Sequence, residues 1–547
     1  MTATIKPEDE SESIKPEDES EEVVAPITPQ ISLHAKDKAE FEGKPGLLRS
    51  FILETAGYSF ICAIIPVIVI FLRYICQSSF QVDALSNTPV FAVPLELRNI
   101  TVLGLSAVNP AINFFGDGLG ELSSGMKAWL IIAGIIGNAD KLAFYLIQSW
   151  FIFRPTKFGK IITSLCGCGC WAFLGYCYCA NFSSLFEEGE NTETAIQRRV
   201  LAYSVSVIVQ PLISVIAYCL SEKKGPRRPF RCYLIFLTYN LGTILCLLIY
   251  QRVIIAKFAD SSTPLVVLLL LRGVGHSVIS AFLISLIGWV HHHIVEDLGG
   301  EPHRASIIYC VIGVFLPLMG RFLQSSAESV GQALMFEFFA TGAEILMMDN
   351  LLRGLTPLQS KRRTIACICM TDCNKSKRPG KDGKELTKRD ENRIAFCSDA
   401  IIISSLGEAS ALIVSTAETI MSRVSLGAIP GSPKKALSLI LANFVIMLFG
   451  ELVVTDGLIG WMARRFTSRY VIDPTMEWQR MKKRATGFLK IAVSNIALFF
   501  PGWCALTIWV NGCVTAHVGN EEEWAVTSCP AAPSNITEMS RVGDSFY

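Results

Sequence analysis

The sequence predicts an all-α membrane protein, a polytopic transmembrane helical bundle of about 11 spans. Hydrophobic residues make up 51% of its 547 residues and charged residues only 18%, a balance unlike that of soluble globular proteins. Apolar runs recur from about residue 51 to residue 510, and each is long enough to cross a hydrocarbon core of roughly 30 Å as a helix. Lys and Arg gather in alternate connections between these runs, as expected for a chain that crosses a membrane repeatedly.

The chain begins with a polar segment, residues 1–45, in which the sequence IKPEDES occurs at 5–11 and again at 14–20. A stretch this rich in Glu, Asp, Ser and Pro cannot bury enough apolar surface to fold. We therefore predict a disordered acidic tail. No cleavable signal peptide is predicted, and the first apolar run would serve as a signal anchor.

Eleven apolar runs are predicted to span the membrane. Their approximate bounds are 51–74, 128–153, 160–180, 200–220, 232–256, 264–290, 306–325, 332–353, 399–422, 436–462 and 486–510. The segment 99–115 is also apolar, but it is short and contains Pro110 and three Asn residues. We interpret it as a half-buried or re-entrant segment within a large outer loop at 75–127.

Basic residues predict the orientation of the bundle. The four connections richest in Lys and Arg are 154–160, 222–231, 354–398 and 463–484. With eleven spans all four fall on one side, which the enrichment of Lys and Arg in cytoplasmic loops assigns to the cytoplasm. The N-terminus is then cytoplasmic and the C-terminus extracytoplasmic. The predicted parts are a first group of eight spans at 46–353, a cytoplasmic loop at 354–398, a second group of three spans at 399–510 and an outer tail at 511–547.

Four glycosylation sequons can be compared with this orientation. Asn99, Asn181 and Asn535 fall outside and are predicted to be glycosylated. Asn374 falls in the basic inner loop and is predicted to be unmodified.

The cysteines predict two modifications and no metal site. Three of them lie beside a basic patch of the inner loop, where reversible acylation would anchor the loop to anionic lipid. They are Cys367, Cys369 and Cys373. Cys513 and Cys529 lie in the outer tail, where oxidation is permitted, and are predicted to form a disulfide. The CGCGC run at 166–170 is interpreted as close helix packing.

Ionisable residues in the middle of apolar runs are the candidate functional residues. A charge in the hydrocarbon core costs several kcal/mol unless it is paired, neutralised or hydrated, so such residues usually face the bundle interior. At about 1.5 Å per residue, most of these groups lie close to the middle of their own span. The candidates for transport or coupling are Glu344, Glu408, Glu451, Asp140, Lys141, Arg272 and His276.

Glu337 and Glu344 are two helical turns apart in one span, so both are expected on the same helix face. Glu337 is nearer the outer end, where we expect water to reach it. Glu344 is expected at the level of Glu408 and Glu451, where it must be paired, protonated or in a cavity.

Mid-membrane carboxylates near a His favour a secondary transporter of a small solute coupled to protons or another cation. Carboxyl groups in a low-dielectric environment can bind and release protons near neutral pH, and a His can take part in the relay. An integral protein of the plasma membrane or of the secretory endomembranes is predicted. Its predicted partners are the lipid bilayer, the solute and the coupling ion, with no cofactor and no nucleic acid.

Two other functions fit the same residues. A membrane receptor or scaffold would use the intramembrane charges as structural ion pairs. A membrane enzyme would use the cluster His291–His293, although three consecutive His residues on a helix cannot all face one metal. The sequence favours transport over both, and no catalytic motif is recognised.

Overall fold

The computed structural model describes the fold over twelve stretches of the chain, all within the unit that begins at Gly46. They are residues 46–84, 142–143, 145–186, 207–222, 227–255, 257, 263–325, 329–357, 387–425, 433–466, 469–484 and 487–498. Within these stretches the regular elements are helices, and one isolated bridge joins Pro155 to Ser221. The all-α fold class is therefore confirmed.

Fifteen α-helical segments, α1 to α15, make up the described fold. They are α1 Leu47–Ala84, α2 145–153, α3 Lys157–Phe186, α4 Val207–Cys219, α5 Pro229–Ile249, α6 Leu265–Leu270, α7 His276–Glu296, α8 Pro302–Ala305, α9 Cys310–Ser325, α10 Val330–Leu352, α11 Lys388–Ser425, α12 Pro433–Phe449, α13 Gly457–Arg465, α14 Pro474–Lys483 and α15 Phe488–Leu498. Three π-helical turns, Tyr250–Ile255, Leu271–Gly275 and Gly450–Asp456, interrupt or extend them.

Within the described residues, six helices are long and apolar enough to cross a membrane. They are Leu47–Phe71, Leu265–Glu296, Pro302–Arg321, Val330–Leu352, Lys388–Ala417 and Leu437–Arg465. Each coincides with a predicted span, so a multi-pass membrane protein is supported. The described residues do not confirm the count of eleven. Two of the other predicted spans contain the shorter apolar helices α4 and α15, and 99–115 lies outside the described residues.

Helix α11 occupies the centre of the bundle and packs along both α1 and α9. In the apolar part of α11, 83% of the residues are buried, and in Pro302–Arg321 the share is 89%, against 28% in Leu47–Phe71. The sequence of α11 explains this position, because its many Ser, Ala and Gly residues let neighbouring backbones approach closely. Ser59 on α1 donates to the Leu406 carbonyl, and Ser410 donates back to the Ser59 carbonyl, both at 3.2 Å.

One end of the bundle is held by an ionic cluster around Asp399, which is fully buried on α11. His303 Nδ1 lies 2.8 Å from Asp399 Oδ2, and Arg484 Nη1 donates to Asp399 Oδ1 at 2.5 Å. Nearby, the fully buried Trp478 donates to Glu54 of α1 at 2.8 Å. These contacts tie α1, α8, α11 and α14 together at the end that the basic loops predict to be cytoplasmic.

Candidate functional site

Arg321 on α9 is the centre of a buried ionic network. Its side chain is 2% exposed, and its two terminal nitrogens bind carboxylates from two other helices. Nη1 donates to Glu337 Oε2 at 2.7 Å, and Nη2 donates to Glu451 Oε2 at 2.6 Å. Glu408 Oε2 lies 3.8 Å from the same Nη2. One guanidinium group therefore joins α9, α10, α11 and the π-helical turn Gly450–Asp456.

Glu337 is fully bonded within this network. Besides Arg321, Gln324 Nε2 donates to its Oε2 at 3.0 Å, and Thr341 Oγ1 donates to its Oε1 at 3.1 Å. Arg321 also donates to Gln324 Oε1 at 2.9 Å. Glu337 is 5% exposed, so the expectation that water reaches it from the outer end is wrong. Its carboxylate is paired instead with an arginine that the sequence analysis did not single out.

Glu344, Glu408 and Glu451 come together on the other side of Arg321. One carboxylate oxygen from each lies within 4.8 Å of the others. They are held by three different elements, namely α10, α11 and the π-helical turn that follows α12. Oε1 of Glu344 is buried and has no hydrogen-bond partner among the described residues. We refer to these three side chains as the carboxylate cluster.

The chemistry of the carboxylate cluster suits a hard cation or shared protons. Three oxygen ligands at this spacing are the kind of set that Ca²⁺, Mg²⁺ or Mn²⁺ accepts. Carboxyl groups this close can also share protons, because neighbouring like charges in a low-dielectric site cannot all ionise at low cost. In the part of the chain described, this is the one group of His, Cys, Asp and Glu residues with ligand spacing.

Glycine makes the convergence of these helices possible at two points. A Cβ added at Gly407, next to Glu408, would overlap the carbonyl oxygen of Gly313 on α9. A Cβ added at Gly450, next to Glu451, would overlap the carboxylate of Glu337. A side chain at Gly407 would push α9 and α11 apart, and one at Gly450 would displace the Glu337 carboxylate from its partners, so the network depends on both glycines.

Asp456 ends the π-helical turn that begins at Gly450. It is 1% exposed and accepts a hydrogen bond from Ser405 of α11 at 2.7 Å. Its second oxygen has no partner within the described part of the chain. The turn thus presents both Glu451 and Asp456 to the interior, which an uninterrupted α-helix would not do.

Arg272 and His276 form a second polar group beside the network. Arg272 lies in the π-helical turn Leu271–Gly275, is 6% exposed, and has an Nε without a hydrogen-bond partner in the described residues. Its Nη2 lies 2.8 Å from where a Cβ of Gly320 would stand, so the guanidinium crosses α9 one residue before Arg321. His276 Nδ1 lies 3.0 Å from the hydroxyl of Tyr250.

Most of the other predicted site residues lie outside the part of the chain that the structure describes. Asp140 and Lys141 lie outside the described residues, as do Asn99, Asn535, Cys367, Cys369, Cys373, Cys513 and Cys529. Asn181 lies within α3, which continues past the predicted end of its span at residue 180.

The three consecutive His residues have separate environments. His291 Nε2 lies 2.8 Å from the Pro302 carbonyl, whereas His293 Nδ1 lies 2.6 Å from Asp297. The ring of His292 is adjacent to that of His293, with their centroids 5.3 Å apart. His291 is buried against Phe396. The three rings thus have different partners and are not gathered around a common point.

Sequence reasoning missed Arg321 because depth was measured from the predicted ends of each span. Arg321 lies four residues from the end of the predicted span 306–325 and was not counted as a mid-membrane charge. A usable signal was present, since Arg321 and Gln324 lie three residues apart in the apolar sequence of α9. Polar residues at that spacing share a helix face.

Comparison with family models, with curated proteins and with solved structures finds no match for this chain. The function is therefore inferred from the site alone.

Proposed function

We propose that the protein is a multi-pass membrane transporter of a small solute, coupled to protons or another cation through Glu344, Glu408 and Glu451. The observation that carries this proposal is the approach of their oxygens to within 4.8 Å inside the bundle. A charged group at membrane depth usually belongs to a pathway for ions or substrate, or to a proton relay.

The charges of the network support an exchangeable cation. Arg321 contacts three carboxylates, Glu337, Glu408 and Glu451, and Glu344 adds a fourth. Arg272, buried beside the network, adds a second positive charge, but two guanidinium groups cannot neutralise four carboxylates, and an unpaired buried charge is costly. The remaining negative charge must be balanced by bound protons or by a metal cation. A site whose charge balance requires such a cation can bind it on one side of the membrane and release it on the other.

The helices around the site have the irregularities that movement requires. The π-helical turn Gly450–Asp456 carries Glu451, and the π-helical turn Leu271–Gly275 carries Arg272. Single π-helical turns are common at functional sites, since a helix can change register there at low cost. Discontinuous helices near the middle of the membrane are also typical of transporter binding sites.

The first test replaces Glu408, which of the three carboxylates in contact with Arg321 lies farthest from it, at 3.8 Å. Glu408→Gln is expected to reduce solute uptake driven by a pH gradient by about tenfold or more, the loss seen when a group that supports a bound cation is removed. Purified protein would be reconstituted in vesicles and given a mixture of small metabolites, with uptake measured by mass spectrometry with and without the gradient.

Glu391→Gln is the matched control, because Glu391 is on the same helix as Glu408 and lies outside the carboxylate cluster. It should leave uptake unchanged. Equal gradient-driven uptake by the native protein and by the Glu344→Gln, Glu408→Gln and Glu451→Gln variants would rule out coupling through the cluster.

We further propose eleven spans with a cytoplasmic N-terminus and an extracytoplasmic C-terminus, which the basic loops support. This orientation predicts that Asn99, Asn181 and Asn535 carry glycans in a eukaryotic host and that Asn374 does not. Each Asn would be changed to Gln singly, and the loss of a glycan read from the gel shift after glycosidase treatment. A glycan at Asn374, or its absence from the other three together, would reverse the assigned sides.

A receptor or scaffold is the second candidate, and the bonds of Arg321 favour it. Its pairs with Glu337 and Glu451 are short and buried, as in a network that only holds helices together. Such a protein would show no flux of any solute, and its signal output would depend on the loop segment 361–393. The two candidates thus differ in the vesicle assay described above.

A further inference from the structure

A second candidate site lies at the end of the bundle that the basic loops predict to be cytoplasmic. A cavity of about 420 Å³ opens there between α2, α3, α8 and α15, which is within the range of small-molecule sites. Three basic side chains line it, namely Arg154, Lys160 and Arg304, together with one acidic side chain, Glu222. It shares no residue with the Arg321 network.

The two arginines of this cavity are held in place by one carboxylate. Arg154 Nη2 lies 3.0 Å from Glu301 Oε1, and Arg304 Nε donates to Glu301 Oε2 at 2.7 Å. Arg304 Nη1 also donates to the Phe151 carbonyl at 3.2 Å, and its guanidinium lies 4.8 Å above the Phe151 ring. One Glu is shared by two Arg, so it orients both and leaves a net positive charge.

Donor groups remain available on both arginines. Arg304 Nη2 and Arg154 Nη1 make no hydrogen bond to another described residue, and the exposed Lys160 adds an ammonium group to the lining. Guanidinium groups bind phosphate through paired N–H donors, and a lysine adds a mobile point charge. The cavity therefore has the donors that a phosphate group requires.

The backbone turns sharply at Arg154, the residue that follows α2. Arg154 has a φ of 50°, and it is the one residue other than glycine with positive φ in the described part of the chain. Its N–H donates to the Trp150 carbonyl at 3.0 Å, and its carbonyl accepts from the Glu222 N–H at 3.2 Å. The hydrogen bond to Trp150 is the one that commonly closes a helix end, and the turn places the Arg154 side chain among those that line the cavity.

We infer that this cavity binds a phosphate-bearing anion, held by Arg154, Lys160 and Arg304. The phosphate can come from a soluble organophosphate or from the headgroup of an anionic phospholipid. Three exposed apolar side chains on α3, the helix that carries Lys160, fit the second source. Phe158, Ile161 and Leu165 are 64%, 57% and 63% exposed and share one helix face, along which acyl chains can lie.

The binding experiment uses the purified full chain in detergent and three probes. Dioctanoyl phosphatidylinositol 4-phosphate is the lipid probe, its deacylated headgroup is the soluble probe, and dioctanoyl phosphatidylcholine is the neutral control. Titration calorimetry is expected to detect binding of at least one phosphate probe and none of the neutral lipid. Equal affinity for the headgroup would identify a soluble organophosphate as the source, and a requirement for acyl chains would identify a phospholipid.

Two variants test the assigned residues. Arg304→Gln is expected to weaken binding by about tenfold or more, as follows from the loss of a charge-assisted hydrogen bond. Because Arg304 also bonds to Glu301, Lys160→Gln provides an exposed change that should not disturb folding, with an expected loss of about fivefold. Lys157→Gln is the matched control, since Lys157 is exposed in the same helical turn and does not line the cavity.

The assignment fails if neither phosphate probe binds more tightly than phosphatidylcholine. It fails equally if Lys160→Gln and Arg304→Gln bind as well as Lys157→Gln. Solute uptake in vesicles is measured separately, so this result stands apart from the proposed transport function.

Discussion

Gly407→Ala is expected to destabilise the protein by about 3 kcal/mol or more, a large effect for the addition of one methyl group. Gly407 lies at the closest approach of α11 and α9, where an added Cβ would overlap the carbonyl oxygen of Gly313. A backbone atom cannot rotate away as a side chain can, so the two helices must separate. Their separation would also disturb Arg321, which joins α9 to the carboxylates of three neighbouring elements.

Gly342→Ala is the matched control, because it makes the same change in the middle of a membrane helix. A Cβ at Gly342 has no atom within 4 Å, and alanine favours the helix, so this variant should be unchanged or slightly more stable. Both variants would be heated in detergent, and the fraction that stays folded at each temperature would be measured by size-exclusion chromatography with fluorescence detection. Similar midpoints for the two variants would show that α9 and α11 do not pack as closely as described.

The convergence of the carboxylate cluster illustrates how far sequence reasoning reaches. Hydrophobic runs define helices, and counting residues along each run gives the depth of a charge. That arithmetic placed Glu344, Glu408 and Glu451 at one level, and the structure brings their oxygens within 4.8 Å. Counting residues could not show which helix faces pack against each other, because the contact between two helices depends on their tilt and crossing angle.

Arg321 and Asp456 show where the same reasoning ends. Arg321 lies near the end of the predicted span 306–325, yet it bonds to Glu451, which lies near the middle of another span. The sequences of the two spans do not show how far one helix is shifted along the other. Asp456 follows Glu451 by five residues, so in an α-helix the two side chains would point about 140° apart around the helix axis. The π-helical turn brings the two onto one face, and no pattern in the sequence predicts that turn.

Arg321→Gln is expected to cost about 3 to 5 kcal/mol, the range for removing one partner of a buried ion pair. Arg321 is 2% exposed, and its loss would leave the carboxylates of Glu337 and Glu451 without their counter-charge. Arg469→Gln is the matched control. Arg469 also pairs with a carboxylate, that of Asp349 at 3.2 Å, but this arginine is 54% exposed, so the expected cost is below about 1 kcal/mol.

The cost of Arg321→Gln should depend on the carboxylates that remain. Adding Glu451→Gln to Arg321→Gln should recover part of the stability, because the double variant leaves one buried charge fewer. Thermal unfolding of the single and double variants measures this effect. A double variant less stable than Arg321→Gln would mean that Glu451 stabilises the bundle through a partner other than the arginine.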